Sequence, residues 1–178
     1  MERIDKICSH PLWTDSIHQI ALLEKERAFC RHGVSHLLDV ARIAWIENLE
    51  SELQLPKDMV YAAALLHDIG RHRQYLDNIP HHEASAQIAA DILPDAGFDD
   101  AEQAVILNAI RMHRGKDTAD TGNIGNSVKI GYNGIREMQN DLTELIRHAD
   151  KKSRMCALCP AIHSCNWDNE KKNMRIEI

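Results

Sequence analysis

The sequence lacks a hydrophobic run that could cross a membrane, since none of its apolar stretches approaches the ~20 residues that a transmembrane helix needs. It also lacks an excess of positive charge, because 27 acidic and 21 basic side chains give a formal net charge of -6. That balance offers no electrostatic footprint for duplex nucleic acid or an anionic membrane. The segment Met1–Asp5 does not begin a signal peptide. We therefore expect a cytoplasmic protein, a monomer or homodimer, with neither membrane nor duplex nucleic acid among its partners.

The five cysteines lack the even number that a disulfide framework would use. Three of them, Cys156, Cys159 and Cys165, crowd near the C-terminus, and a Cys-x2-Cys pair is a recurrent zinc half-site because two thiolates at this spacing can bind one tetrahedral ion. The candidates for a fourth ligand are His163, Cys30 and Cys8. Three interpretations stay open: a structural zinc site, reduced thiols packed against the domain, and a redox-active or iron–sulfur site.

Helical periodicity accounts for most of the chain, which predicts an all-α fold. The predicted helices cover residues 15–30, 33–53, 56–69, 80–93, 99–113 and 134–152. Gly70 is expected to end the third helix and Pro94 the fourth. The Gly-, Asn- and Asp-rich stretch Gly115–Asn126 predicts a loop of a length that is usually functional or mobile. We expect one domain over residues 1–155, including the helix over 15–30, and a cysteine-containing extension over residues 156–178.

His67 and Asp68 close the apolar run Met59–Leu66, so a buried helix delivers an imidazole and a carboxylate to the interior. A buried carboxylate without a partner is very costly, which predicts a cation beside it. Four further residues end apolar stripes at helical spacing in the same way; they are His36, His81, His113 and Asp150. Helical bundles build carboxylate–histidine metal sites in this manner. The pattern predicts a metal site, with two ions.

The choice between His81 and His82 depends on helix register, because adjacent residues point about 100° apart. His81 shares a stripe with Ser85 and Ile88, so we favour His81 as the ligand, although the two assignments could be reversed.

These elements together resemble the HD-domain superfamily of metal-dependent phosphohydrolases, in its HDIG branch with additional histidines. The motifs that carry the resemblance are His36-x3-Val40-Ala41, His67-Asp68-Ile69-Gly70, His81-x3-Ser85-Ala86, His113 and Ala149-Asp150-Lys151. The resemblance spans about Ala28 to Arg154 and implies a helical bundle with a metal site at its centre.

The resemblance also implies a ligand set for two ions. One would be held by His36, His67, Asp68 and Asp150, and the second by His81, His113 and the bridging Asp68. Proteins of this kind commonly use iron or manganese, and imidazole and carboxylate ligands also suit zinc, cobalt and nickel.

The implied activity is hydrolysis of a phosphomonoester or phosphoanhydride by metal-activated water. Asp68 or a neighbouring group would take the proton, while Arg71, Lys151 and Arg154 would neutralise phosphate oxygens. The expected substrate is small and phosphorylated, a nucleotide or a dinucleoside polyphosphate.

The chain departs from the family pattern at two points. Position 71 is Arg where many HDIG proteins have Lys, and no Gly-Tyr-Pro signature follows the domain, which argues against a cyclic-di-GMP phosphodiesterase. Two alternative functions stay open: a nucleotide- or metal-binding sensor that has lost turnover, and a di-iron redox protein on the same scaffold.

Overall fold

The computed structural model describes residues 1–114 and 132–175, and within them all regular structure is helical, as predicted. The α-helices are α1 (Glu2–Ser9), α2 (Pro11–Leu23), α3 (Val34–Glu50), α4 (Lys57–Leu66), α5 (Arg71–Asp77), α6 (His81–Ala96), α7 (Asp100–Met112) and α8 (Tyr132–Lys152). A short 3-10 turn, Cys156–Leu158, follows. The predicted loop Gly115–Asn126 lies outside the described residues. None of the helices in the described ranges is both long and apolar enough to cross a bilayer.

Helix α4 lies at the centre of the bundle, where it packs against α3, α7 and α8. Its apolar residues from Met59 to Leu66 are buried apart from the half-buried Tyr61. Ala62, Ala63 and Ala64 are fully buried, and their small side chains let the neighbouring helices approach closely. The end of α4 therefore projects into the middle of the molecule.

The prediction of one N-terminal helix over residues 15–30 is wrong, because α1 precedes it and α2 has other bounds, Pro11–Leu23. The Nδ1 atom of His10 accepts a hydrogen bond from the backbone N–H of Leu12 at 3.2 Å, so His10 caps the start of α2, and proline occupies the first helical position. At the other end, the C-cap residue Glu24 is buried, and its carboxylate accepts a hydrogen bond from the backbone N–H of His32.

The prediction that Gly70 ends the third helix is also wrong. Helix α4 ends at Leu66, a turn carries residues 67–70, and α5 begins at Arg71, a helix that is not predicted from the sequence. Gly70 has a φ of -79°, which any residue can adopt. Glycine is required because a Cβ there would lie 2.7 Å from the backbone carbon of Ala84 on α6 and closer still to the nitrogen of Ser85.

Pro94 does not stop the helix that contains it, contrary to the prediction, because α6 continues to Ala96. Proline removes one backbone donor, and one lost hydrogen bond near the C-terminal end does not unwind the remaining turn. The helix ends instead at Gly97, whose φ of 89° is in the left-handed region and whose N–H bonds to the carbonyls of Leu93 and Pro94. The other predicted helices match the observed ones within a few residues at each end.

Candidate metal centre

The predicted metal-capable side chains converge at the centre of the bundle. The ligand atoms of His36, His67, Asp68 and Asp150 all lie within 4.8 Å of one another, and so do those of Asp68, His81 and His113. The two groups share Asp68. Both residues of the His67-Asp68 pair are essentially inaccessible to solvent.

Helix ends supply nearly every member of this cluster. His36 lies in the first turn of α3, His81 is the first residue of α6, and His113 directly follows α7. His67 and Asp68 follow α4, and Asp150 lies in the last turn of α8. Each of these residues continues an apolar stripe that packs into the core, which is why five separate segments meet at one point.

Asp68 lies between the two groups, with a different oxygen facing each. Its Oδ2 is 3.7 Å from Nε2 of His36 and 3.5 Å from Nε2 of His67. Its Oδ1 is 3.3 Å from Nε2 of His81 and 3.9 Å from Nε2 of His113. This is the arrangement expected of a carboxylate that bridges two cations. Asp150 completes the first group, with Oδ1 3.2 Å from Nε2 of His36.

The backbone fixes the tautomer of two of the histidines. Nδ1 of His67 donates to the carbonyl oxygen of Ala64 at 2.7 Å, and Nδ1 of His113 donates to that of Ile110 at 2.6 Å. A carbonyl oxygen can only accept, so Nδ1 carries the proton and Nε2 keeps its lone pair. Metal-binding histidines in proteins are oriented in this way.

Side chains fix the tautomers of the other two histidines, His81 and His36. Nδ1 of His81 lies 2.7 Å from Oε1 of Gln74, and Nδ1 of His36 lies 3.2 Å from Oγ of Ser153. The Ser153 hydroxyl donates its own proton to the carbonyl of Asp150 at 2.8 Å, so it accepts from His36. In both histidines Nδ1 therefore carries the proton, and Nε2 keeps its lone pair.

The Nε2 atoms of His36, His67, His81 and His113 are buried and have no hydrogen-bond partner. Buried polar atoms are nearly always satisfied, so four unsatisfied lone pairs around one carboxylate need an explanation. A divalent metal provides it, because neutral imidazole nitrogens and carboxylates are metal ligands. The residues present therefore fit the metals that the cluster implies.

The charge states suit the same ligand role. Burial lowers the pKa of His81 to about 2 and that of His113 to about 4, so both are neutral near pH 7. Burial of Asp68 opposes its ionisation, but the adjacent His67 and the Arg71 guanidinium outweigh it and hold the pKa of Asp68 well below its usual value. The second group thus combines two neutral imidazoles with an ionised carboxylate. In the first group, burial lowers the pKa of His36, but Asp150 and Asp68 outweigh it and raise this pKa above its usual value.

His81 and His82 are now distinguished by position. His81 is buried within the cluster, whereas the side chain of His82 is 31% exposed and has its Nε2 3.8 Å from Oε1 of Glu83. The structure places His81 in the second ligand group, as the register of Ser85 indicated.

The three predicted phosphate-binding cations have different surroundings. Arg71 is buried, with Nε 3.0 Å from Oδ1 of Asp68 and Nη2 3.3 Å from Oδ2. Arg154 is buried, with Nη2 2.6 Å from Oδ1 of Asp150. Both arginines line the cavity beside the cluster. Lys151 is exposed and does not line that cavity, so the structure does not bring it to the site.

Next to the cluster, sequence reasoning missed a buried hydrogen-bonded chain. His32 is buried, with Nδ1 2.6 Å from Oε1 of Glu24 and Nε2 3.9 Å from Oδ2 of Asp68. The Tyr75 hydroxyl donates to Glu24 at 2.5 Å. Burial raises the pKa of Glu24, but the hydrogen bonds from His32 and Tyr75 outweigh it and lower this pKa to about 2. No sequence signal marks Glu24, because its partners are distant in the chain.

A cavity of about 470 Å³ adjoins the cluster and reaches the C-terminal segment. The basic residues that line it are Arg27, Arg71, Arg114, Arg154 and Lys172. Arg114, which was not singled out from the sequence, directly follows the ligand His113. The guanidinium carbon of Arg154 lies 5.2 Å from the ring centroid of Trp167, another lining residue. The cavity is thus a basic chamber with an aromatic wall. No member of the histidine–aspartate cluster lines it, and its connection to the cluster is through Arg71, Arg154 and His32, which contact Asp68 or Asp150.

The predicted thiol residues Cys156, Cys159 and Cys165 also line this cavity, together with Cys30. In the parts of the chain that the structure describes, none of these thiols belongs to a group of three or more potential ligand atoms within 4.8 Å of one another. A metal at these cysteines, whether structural zinc or an iron–sulfur site, therefore stays an open interpretation.

Comparison with known proteins agrees with this geometry. The family model of the HD domain matches residues 33–155. A protein from Clostridium beijerinckii described only as uncharacterized is 34% identical over 176 residues, which is 99% of each chain. Ribonuclease Y from Enterococcus faecalis is 28% identical over 110 residues, which is 62% of this chain and 19% of that protein. No solved structure gave a significant match. The matched region contains every member of the histidine–aspartate cluster, and the chain belongs to the HD-domain superfamily of metal-dependent phosphohydrolases.

Proposed function

We propose that the protein hydrolyses a phosphomonoester or phosphoanhydride bond in a small nucleotide, using two divalent metals. The observation that carries the proposal is the pair of ligand groups joined by Asp68, with four buried Nε2 atoms that have no other partner. His36, His67, Asp68 and Asp150 would hold one ion, and Asp68, His81 and His113 the other. Iron and manganese are the proposed metals. Such ions supply Lewis-acid activation of water and positive charge for phosphate oxygens.

The cavity residues would bind the substrate. Arg71, Arg114 and Arg154 line the chamber, and their guanidinium groups would donate to phosphate oxygens. Arg71 and Arg154 would use the N–H groups that do not already bind Asp68 and Asp150. A volume of about 470 Å³ suits a nucleotide-sized ligand. The formal net charge of -6 disfavours long nucleic acids, so the basic charge is local to this chamber.

His32 would orient the reacting groups beside Asp68, where its Nε2 lies 3.9 Å from Oδ2, the oxygen that also faces His36 and His67. Its Nδ1–H is held by the ionised Glu24, which leaves Nε2 as an acceptor that faces the cavity and Asp68. Tyr75 holds Glu24 in turn. This chain of contacts fixes one hydrogen-bond acceptor at the edge of the centre without taking part in the metal cage.

Metal-free protein reloaded with Fe²⁺ or Mn²⁺ and given a panel of substrates tests the proposal. The panel contains nucleoside monophosphates, dinucleoside polyphosphates and a short RNA, which is included because of the similarity to ribonuclease Y. We expect metal-dependent product formation from one of the small nucleotides. Cleavage of the RNA and of no small nucleotide would show that the substrate is RNA instead of a small nucleotide. No turnover with either metal, or a visible or EPR change on substrate addition without phosphate release, would contradict the proposed hydrolysis.

Removal of one ligand of the second group should empty one metal position only. We expect His81→Ala to reduce bound metal from about two ions to about one, because His36, His67, Asp68 and Asp150 still offer a complete set for the first. Metal analysis of the purified variant measures this. His82→Ala, one residue away and outside the cluster, is the matched control and should keep both ions. Loss of both ions in His81→Ala would show a single cooperative site.

Arg71 should contribute to turnover more than to metal binding. It lines the cavity and holds both oxygens of Asp68, so Arg71→Ala is expected to lower kcat/KM by about 2–4 kcal/mol in transition-state stabilisation. Arg73→Ala, on the same helix but outside the cavity, should change kcat/KM little. Metal analysis accompanies the kinetics, since loss of metal in Arg71→Ala would mean that Arg71 acts by positioning Asp68.

A further inference from the structure

Four of the five cysteines line one cavity, although they come from two distant parts of the chain. Cys30 lies between α2 and α3, whereas Cys156, Cys159 and Cys165 belong to the segment after α8. We infer that these four thiols form a second metal site, that of an iron–sulfur cluster, in the cavity beside the histidine–aspartate centre.

The structure selects the fourth ligand that the sequence left open. Cys30 lines the cavity with the three C-terminal thiols, while Cys8 lies on α1 and packs against the hydrophobic core. His163 does not line the cavity. Four thiols in one cavity are the full ligand set of a cubane or a two-iron cluster, and also of a structural zinc.

The spacing of the thiols favours a cluster over zinc. Zinc–sulfur bonds of about 2.3 Å in a tetrahedron place the sulfurs about 3.8 Å apart. No three of these thiols lie within 4.8 Å of one another in the described residues, whereas the histidine–aspartate ligands do. A cubane binds each thiolate to a different iron, so its sulfurs are further apart and it needs more room. A cluster at the thiols would share the cavity of about 470 Å³ with the substrate proposed to bind at Arg71 and Arg114.

The charges in the cavity suit an anionic, thiolate-bound group. The Cys30 thiol lies beside the Arg154 guanidinium, and Arg27 and Lys172 line the same cavity. Basic neighbours offset the negative charge that a thiolate-bound iron–sulfur group carries. Apart from Arg154, which also pairs with Asp150, these contacts are separate from the histidine–aspartate cluster.

Acid-labile sulfide provides a direct test, since the proposed histidine–aspartate metals carry none. The full chain is reconstituted anaerobically with sulfide and equal amounts of Fe²⁺ and Fe³⁺, the ratio that a cubane contains, then desalted and analysed for iron, sulfide and zinc, with a visible spectrum. We expect bound sulfide and sulfide-to-iron charge-transfer absorption in the wild-type protein. Cys30→Ser should lose most of the sulfide, and Cys8→Ser, the matched control outside the cavity, should keep it.

The other outcomes separate this inference from the catalytic proposal. His81→Ala should leave the sulfide content unchanged, which would support two independent sites. Full sulfide content in Cys30→Ser would overturn the four-cysteine assignment, and so would one zinc per chain without sulfide, or no sulfide in the wild-type protein. Cys159→Ser is the second variant, and circular dichroism of both variants before reconstitution checks that a loss of sulfide is not a loss of fold.

Discussion

Replacing Asp68 with alanine is expected to abolish hydrolysis, by roughly 10³-fold or more, and to lower the metal content of both positions. The reason is the position of the carboxylate: Oδ2 faces His36 and His67, while Oδ1 faces His81 and His113. No other residue belongs to both ligand groups. Turnover of the identified substrate and metal analysis of the same sample measure the two effects together.

The same substitution also changes the fold energetics, because Asp68 pairs with the buried Arg71. An unpaired buried guanidinium costs about 3–5 kcal/mol when its partner is removed. Asp68→Asn separates this effect from metal binding, since the amide keeps the shape and an oxygen for Arg71 but loses the negative charge. We expect Asp68→Asn to lose activity as fully as Asp68→Ala, with a smaller loss of stability.

Asp91→Ala, a carboxylate removed from the exposed face of α6, controls for the change in net charge and should behave as wild type. The assignment of the centre fails if Asp68→Ala retains both metals and the wild-type rate. It also fails if only one metal position is affected, because a bridging carboxylate must serve both.

The metal cluster is predictable from the sequence because its members end apolar stripes. Helical periodicity determines which face of a helix is buried, so a histidine or aspartate that continues such a stripe must point into the core. Asp150 after Leu142 and Ile146 is the clearest case, and all three side chains are buried or nearly so. The same periodicity explains why Lys151 misses the site, since it is adjacent to Asp150 on α8 but turned by about 100°. Arg154 lies beyond the end of α8, and its contact with Asp150, with Nη2 2.6 Å from Oδ1, does not follow from helical spacing.

Other features depend on tertiary contacts that no local pattern encodes. The hydrogen bonds from His32 and Tyr75 to Glu24 join residues from three segments, so Glu24 reads as an ordinary surface residue in the sequence. Helix α5 has only seven residues, and its C-cap Asn78 adopts a left-handed φ of 57°. Such a short helix is not stable alone and forms because it packs against α6 and α2. The approach of Cys30 to the C-terminal thiols is of the same kind.

Replacing Gly70 with alanine adds one methyl group and should strongly destabilise the folded protein. The added Cβ would lie 2.7 Å from both the backbone carbon and the Cβ of Ala84, and nearer still to the nitrogen of Ser85. These atoms belong to α6, so the clash is relieved only if the helix moves. We expect the free energy of unfolding to fall by about 3 kcal/mol, the upper part of the range for overpacked cores. For a chain of this size that corresponds to a melting temperature lower by roughly 6–12 °C.

Gly33→Ala is the matched control, because a Cβ at Gly33 would have nothing within 4 Å and its φ of -76° suits alanine. Thermal and urea unfolding of both variants, metal-free and metal-loaded, measure the difference. A movement of α6 would carry His81 away from Asp68, so Gly70→Ala should also weaken binding at the second metal position while the first group keeps its ion. If Gly70→Ala unfolds at the same temperature as Gly33→Ala, the close packing of the 67–70 turn on α6 does not hold. If Gly70→Ala is destabilised but binds both metals normally, the packing of the turn does not affect the metal centre, and Gly70 contributes only to the stability of the fold.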